Sequence, residues 1–212
     1  MHMRHILVAL WITFAAVPAA NAAVSVNIGI NLPVYPRLVA VPGYPVYYAP
    51  GVNSNYFFYD GLYWVYEGDS WYASSWYNGP WRVVDPFAVP AYVLQVPVRY
   101  YRRPPVYFRG WSVNSAPRWG EHWGRDWEVR RGGWNERHGR VAIAPLPTYQ
   151  RQYSGNRYPQ AERQAALHGQ NYRYQPKDAV VQEHYQQQRA EHNDHGHDNR
   201  GGDRHDGRGK DR

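Results

Sequence analysis

Apolar and polar positions alternate most clearly between Asn55 and Val84, where runs of aromatic residues are separated by short polar breaks. Tyr56-Phe57-Phe58-Tyr59 is followed by Asp60-Gly61, then Leu62 to Tyr66, Glu67-Gly68-Asp69, Ser70 to Trp76, Asn78-Gly79 and Trp81 to Val84. Asp-Gly and Asn-Gly supply the positive φ that tight hairpin turns require, and Tyr, Trp, Phe and Val stack well across paired strands. The pattern predicts a four-stranded antiparallel meander.

On the N-terminal side, Val24, Val26, Ile28 and Ile30 alternate with small or polar residues and allow one short strand. Pro33, Pro36, Pro42, Pro45 and Pro50 then fix φ and delete ladder donors, so the rest is expected to be an extended lead-in without long central strands. After the meander, Tyr92 to Val98 lies between Pro90 and Pro97 and predicts a Pro-bounded edge strand, or an extended strip laid across the sheet. Trp119, Trp123 and Trp127 recur every fourth residue, the spacing of one helix face, between Pro117 and Gly132-Gly133. They predict a short helix despite Gly120 and Gly124, each costing about 1 kcal/mol relative to Ala.

Two further helices are expected over Pro159 to His168, closed by Gly169, and over Pro176 to about Ala190. The second has only the thin stripe Ala179, Val180 and Tyr185, and needs a docking surface to persist. Glu191 to Arg212 contains no apolar side chain and is expected to be disordered. At the other end, Arg4, the apolar run Ile6 to Val17, Pro18 and the small residues of Ala20-Asn21-Ala22 fit a secretory signal cleaved before Ala23. The run is too short to span a bilayer, and no later stretch is long enough, so no membrane span is expected.

The chain thus divides into a signal peptide (1–22), a Pro-rich lead-in (23–54), an aromatic β-meander (55–108), a Trp/Arg-rich segment and connector (109–150), Gln-rich helices (151–190) and a tail (191–212). The expected fold class is mainly β with minor α: a small antiparallel aromatic meander with Pro-rich flanks, short C-terminal helices and a disordered tail.

Composition sharpens this picture. The chain has 20 Tyr and 10 Trp and no Cys, so its core must be built largely from rings, without disulfides or thiolate metal sites. A formal net charge of +7 favours acidic surfaces. For an exported chain, envelope polymer, an envelope protein or lipid headgroups fit this charge better than nucleic acid does.

Candidate chemistry is sparse. His192, His195, His197 and His205 alternate with Asp194, Asp198, Asp203 and Asp206, good ligands for Zn, Ni or Cu. A disordered tail preorganises no coordination geometry, so weak divalent-metal buffering stands beside a merely solvated tail. Glu121, His122, Asp126 and Glu128 read as solvated surface beside Arg125 and Arg130 rather than as acid/base machinery. No nucleophilic triad motif, phosphate loop or cofactor fingerprint is present, and an enzyme is not expected. Trp64, Trp71, Trp76 and Trp81 could form a ligand platform with Arg99, Arg102 and Arg103 nearby, or could be core; the expectation is one packed face and one free face.

Tyr59-Asp60-Gly61, Tyr63-Trp64-Val65-Tyr66, Trp76-Tyr77-Asn78-Gly79-Pro80-Trp81, Val96-Pro97-Val98-Arg99-Tyr100-Tyr101 and Trp119-Gly120 through Trp127-Glu128 together resemble an uncharacterised family of exported, aromatic-rich proteobacterial proteins. The resemblance spans roughly residues 50 to 150. It implies a Gram-negative envelope setting, periplasmic or secreted, and carries no activity, cofactor or catalytic residue with it. The expected function is a non-enzymatic envelope module that contacts polymer or a protein partner; metal buffering by the tail and association with a membrane surface are the alternatives.

Overall fold

Seven antiparallel strands make one sheet in the computed structural model, which describes residues 25–136, 141–153 and 157–187. They are β1 (Ser25–Val26), β2 (Val39–Ala40), β3 (Val46–Tyr48), β4 (Asn55–Tyr59), β5 (Leu62–Glu67), β6 (Ser70–Ser74) and β7 (Trp81–Val84). Their spatial order is β1-β7-β6-β5-β4-β3-β2. The predicted meander is its centre, β4 to β7, and the predicted signal peptide and tail lie outside the described residues.

The turns explain the register. Asp60 and Gly61 both have positive φ, +48° and +95°, as do Gly68 and Asp69, +54° and +64°. Two such residues in sequence give a turn whose twist matches the flanking strands. They set Phe57 opposite Trp64, Tyr59 opposite Leu62 and Tyr66 opposite Trp71. Asn78-Gly79 behaves differently: β6 stops at Ser74, and residues 75–80 form a longer loop that turns Trp76 and Tyr77 into the interior.

Because strand side chains alternate, the sheet has two aromatic faces. Phe57, Tyr59, Leu62, Trp64, Tyr66, Trp71 and Ala73 share one core; Tyr56, Phe58, Tyr63, Val65, Trp76, Tyr77 and Trp81 share the other. Edge-to-face and tilted ring pairs run through both, such as Phe57 with Tyr101 at 5.1 Å and Tyr56 with Trp81 at 6.0 Å between centroids. Pairs of this kind contribute about 0.5–1.5 kcal/mol beyond the area they bury.

The first face is roofed by short helices. The stretch expected as an edge strand is instead α1 (Ala91–Leu94) followed by a 3-10 turn at Val98–Tyr100. Pro90 and Pro97 sit at the two N-caps, where a missing N–H is harmless and the fixed φ suits a helical start. The tryptophan repeat forms two helices, α2 (Trp119–Trp123) and α3 (Arg125–Arg130), broken at Gly124 with φ +87°. The spacing of four survives the break: Trp119 stacks on Trp123 at 4.5 Å, and Trp123 meets Trp127 at 4.8 Å.

The second face is wrapped by irregular chain. Val26, Ile28, Ile30 and Leu32 of the lead-in pack against it, joined by Ala144, Leu146, Tyr158 and Tyr172. α4 (Ala161–Asn171) runs through Gly169 rather than ending there. The last helix, α5 (residues 179–187), docks, but not along the expected stripe: Ala179 is exposed and Val180 half-buried, while Val181 is fully buried in the first core and the His184 ring lies 5.5 Å from Trp64.

The chain leading into α5 is fastened at the β4–β5 tip. Asp60 Oδ2 accepts the backbone N–H groups of Lys177 and Asp178, both at 2.7 Å, while Oδ1 accepts from the Tyr174 hydroxyl. Tyr59 donates to Asp178 (3.0 Å), and Tyr185 donates to the Gly61 carbonyl (3.1 Å). Gly61 is required twice over, by its φ and because a Cβ would sit 3.0 Å from the Tyr174 ring. Residues 172–187 are therefore a strap that starts on the second face, crosses the hairpin tip and ends on the first.

Candidate functional site

The lead-in strip has a two-sided character. Residues 25–33 alternate between exposed and half-buried positions, with Val26, Ile28, Ile30 and Leu32 toward the sheet and Ser25, Asn27, Gly29, Asn31 and Pro33 outward. Only its first two residues pair as a strand, β1 against β7. Further along, Asn78 takes over the role of a neighbouring strand: its Oδ1 accepts the Leu32 N–H (2.8 Å) and its Nδ2 donates to the Leu32 carbonyl (2.7 Å).

The loop that places Asn78 is held by Gly79, which has φ +90°. A Cβ there would come within 2.7 Å of Trp81 Cδ1, so the indole can lie against the loop only because residue 79 has no side chain. Where this loop, the strip and the start of α4 meet, a cleft of about 680 Å³ opens. That volume falls within the range of small-ligand sites, about 300–1,000 Å³.

The cleft wall combines rings and amides. Tyr77, Trp81 and Tyr158 provide the rings; Asn27, Asn31, Asn78, Gln160 and Gln164 provide the amides. Not one of the lining residues is charged, in a chain where 19% of residues are. Asn31 and Gln160 are exposed, whereas Gln164 is buried and donates through Nε2 to the Pro159 carbonyl at 2.9 Å. Burial, reinforced by neighbouring Tyr158, pushes the Tyr77 hydroxyl well above the usual tyrosine range and keeps it neutral.

A second polar cluster lies at the β5–β6 tip. Asp69 Oδ1 accepts from the hydroxyls of Tyr66 (2.6 Å) and Tyr107 (2.8 Å) and lies 2.7 Å from His122 Nε2. Tyr66 and Tyr107 are also hydrogen-bonded to each other, and the His122 ring stacks on Tyr107 at 3.9 Å. Burial pushes the Asp69 carboxyl up, but the donors Tyr66, Tyr107 and His122 together hold it below the usual carboxylate range. The cluster ties the hairpin to α2 and fixes His122, which the sequence places merely on a solvated surface.

The four tryptophans of the expected platform are core residues. Trp64 and Trp71 are fully buried under the first face, and Trp76 and Trp81 under the second. The expectation of one free face is corrected accordingly: rings this large project from both sides of the sheet, each side would lose much by staying wet, and chain segments close over both. Nor do the arginines join them. Arg99 bonds Asn114 Oδ1 (3.1 Å) and lies over Tyr100, Arg103 pairs with Glu67 at 3.6 Å, and Arg102 is exposed on the same turn.

His192, His195, His197 and His205 lie outside the described residues. Among the described residues no group of three or more His, Asp or Glu could hold a metal ion, and no helix is long and apolar enough to cross a membrane. The cleft residues escaped the sequence reading because their signal is divided. Alternation in the strip and the i, i+4 spacing of Gln160 and Gln164 are both legible, but nothing local brings positions 31, 78 and 160 together. No family model, no curated protein and no solved structure matches the chain.

Proposed function

We propose that the protein is a non-enzymatic binding module of the cell envelope, exported to the periplasm or beyond, and that its contact with envelope polymer or a protein partner is made at the cleft between the lead-in strip, the 75–80 loop and α4. The observation that supports this reading is the cleft itself: about 680 Å³ lined by rings and amides, on a sheet whose tryptophans are otherwise sealed. Basic residues act as accessories on this reading. The arginines at 99, 102 and 103 lie outside the lining and can add long-range attraction to an acidic envelope without reading the ligand.

Retention on isolated cell envelope tests the proposal. A protein carrying Asn31→Ala and Gln160→Ala should be released at least fivefold more readily than the parent, with an unchanged circular dichroism spectrum. Equal retention of the folded variant would remove the cleft from the contact. If release instead followed Arg102→Ala and Arg103→Ala alone, a membrane-surface or purely electrostatic association would replace it.

A further inference from the structure

The chemistry of the cleft narrows what it can hold, given that it is the contact site. Three ligand classes compete: an acidic chain, an extended peptide and a neutral sugar chain.

An acidic ligand would be met by Lys or Arg. The chain has 24 of them, and none lines the cleft. A peptide adding itself to the sheet edge needs backbone donors and acceptors at regular intervals. Along the strip that row is interrupted: the Gly29 N–H is bonded to Asn27 Oδ1, and both the N–H and the carbonyl of Leu32 are bonded to Asn78. Pro33, Pro80 and Pro159, which also line the cleft, have no N–H to offer.

A polyhydroxylated ligand makes the opposite demand. Each hydroxyl is donor and acceptor at once, and a primary amide presents both functions side by side without a charge to desolvate. Asn31 of the strip and Gln160 at the start of α4 are both exposed, and no hydrogen bond of the fold occupies either side chain among the described contacts. The half-buried Tyr158 ring, with Ile30 and Leu32 of the strip, supplies apolar wall for the C–H faces of sugar rings, while Tyr77 and Trp81 are buried behind it. We infer that the cleft binds a neutral, polyhydroxylated chain, a run of uncharged sugar residues, held between the amides of Asn31 and Gln160.

Calorimetric titration of the purified protein with chitohexaose, cellohexaose and maltohexaose, beside polygalacturonate and an uncharged Gly/Ser/Thr peptide, tests this. At least one neutral hexasaccharide is expected to bind at micromolar to millimolar concentration. Asn31→Ala with Gln160→Ala should weaken it at least fivefold, and 0.5 M salt should leave it unchanged. Amide resonances of residues 25–33 and 78–81 should shift on titration.

Tighter binding of polygalacturonate or of the peptide would overturn the inference, as would hexasaccharide binding that ignores both substitutions. If no neutral sugar binds while the double variant still detaches from envelope, the ligand class is wrong and the cleft remains the contact. If neither effect is seen, the contact reading falls as well.

Discussion

The two faces of the sheet begin from the same material and end differently. Both present rings from alternate positions of β4 and β5, yet one is roofed by α1, α2, α3 and α5 and the other is wrapped by extended chain with little regular structure. The short helices over the first face carry large rings of their own, Trp119 and Trp127, and their open ends find side-chain partners, as the Leu94 carbonyl does with the Trp119 indole. Irregular chain must find partners for each N–H and C=O, as Leu32 does with Asn78, and where the strip, loop and α4 do not fill the space between them a cleft remains. A closed roof and an open cleft are thus divided between the faces of one layer.

The comparison breaks first if the roofed face can be loosened cheaply. Trp64→Ala removes a fully buried ring from beneath α5 and should cost about 3–5 kcal/mol, read as a fall in the denaturation midpoint with all strands losing protection together. A loss below about 1 kcal/mol would mean that the helices, not the rings, hold that face.

Acid should act next, through His168. Burial lowers its pKa to about 4 from an ordinary value of 6.5, so the folded protein keeps it neutral where the unfolded chain would protonate it. The unfolded state then binds more protons between those values, and stability falls as pH drops from about 6.5 to about 4, by up to about 2–3 kcal/mol. His168→Gln, which can still bond Tyr185, should flatten that part of the pH profile; an unchanged slope would assign it elsewhere.

The strap sharpens the contrast, since it belongs to both faces. Asp60→Ala orphans the N–H groups of Lys177 and Asp178 and places Ala at a positive φ, a loss of about 2 kcal/mol. Asp60→Asn should be nearly neutral. Its Oδ1 can take both N–H groups while Nδ2 donates to the Tyr174 oxygen, and burial, which pushes the Asp60 carboxyl up, no longer acts on a charge. Amide exchange over residues 172–187 checks both, and equal effects would show that the hydrogen bonds are not what fastens the strap.

The smallest effect is expected at the cleft. Gly79→Ala strains a φ of +90° and crowds Trp81, for about 1–2 kcal/mol, felt as faster exchange in residues 25–33 while β4 to β6 stay protected. A global loss equal to that of Trp64→Ala would erase the difference between the faces.

How much of this is written locally can be judged from particular residues. Asp60-Gly61 and the rings around it announce β4 and β5, because turn conformation and ring pairing are properties of neighbours. The stretch from Tyr92 to Val98 misleads for the converse reason. Its composition suits a strand, and its helical turn follows from Pro90 and Pro97 at the caps and from the Trp119 indole, which donates to the Leu94 carbonyl at 2.9 Å. The amides of the cleft are ordinary surface residues in sequence, and they acquire meaning only when Asn78 draws Leu32 to its loop from 46 positions away.

That the strap binds Asp60 across 117 positions bears on how the molecule is assembled. Neighbouring strands can find one another within microseconds, whereas closing so long a span is an entropic search that ends only after the hairpin it grips has formed. A chain made N-terminus first would carry a complete sheet whose rings beneath the strap, Trp64 among them, stay wet until its last quarter arrives. Those rings are covered only when the carboxylate at the hairpin tip finds its two backbone donors.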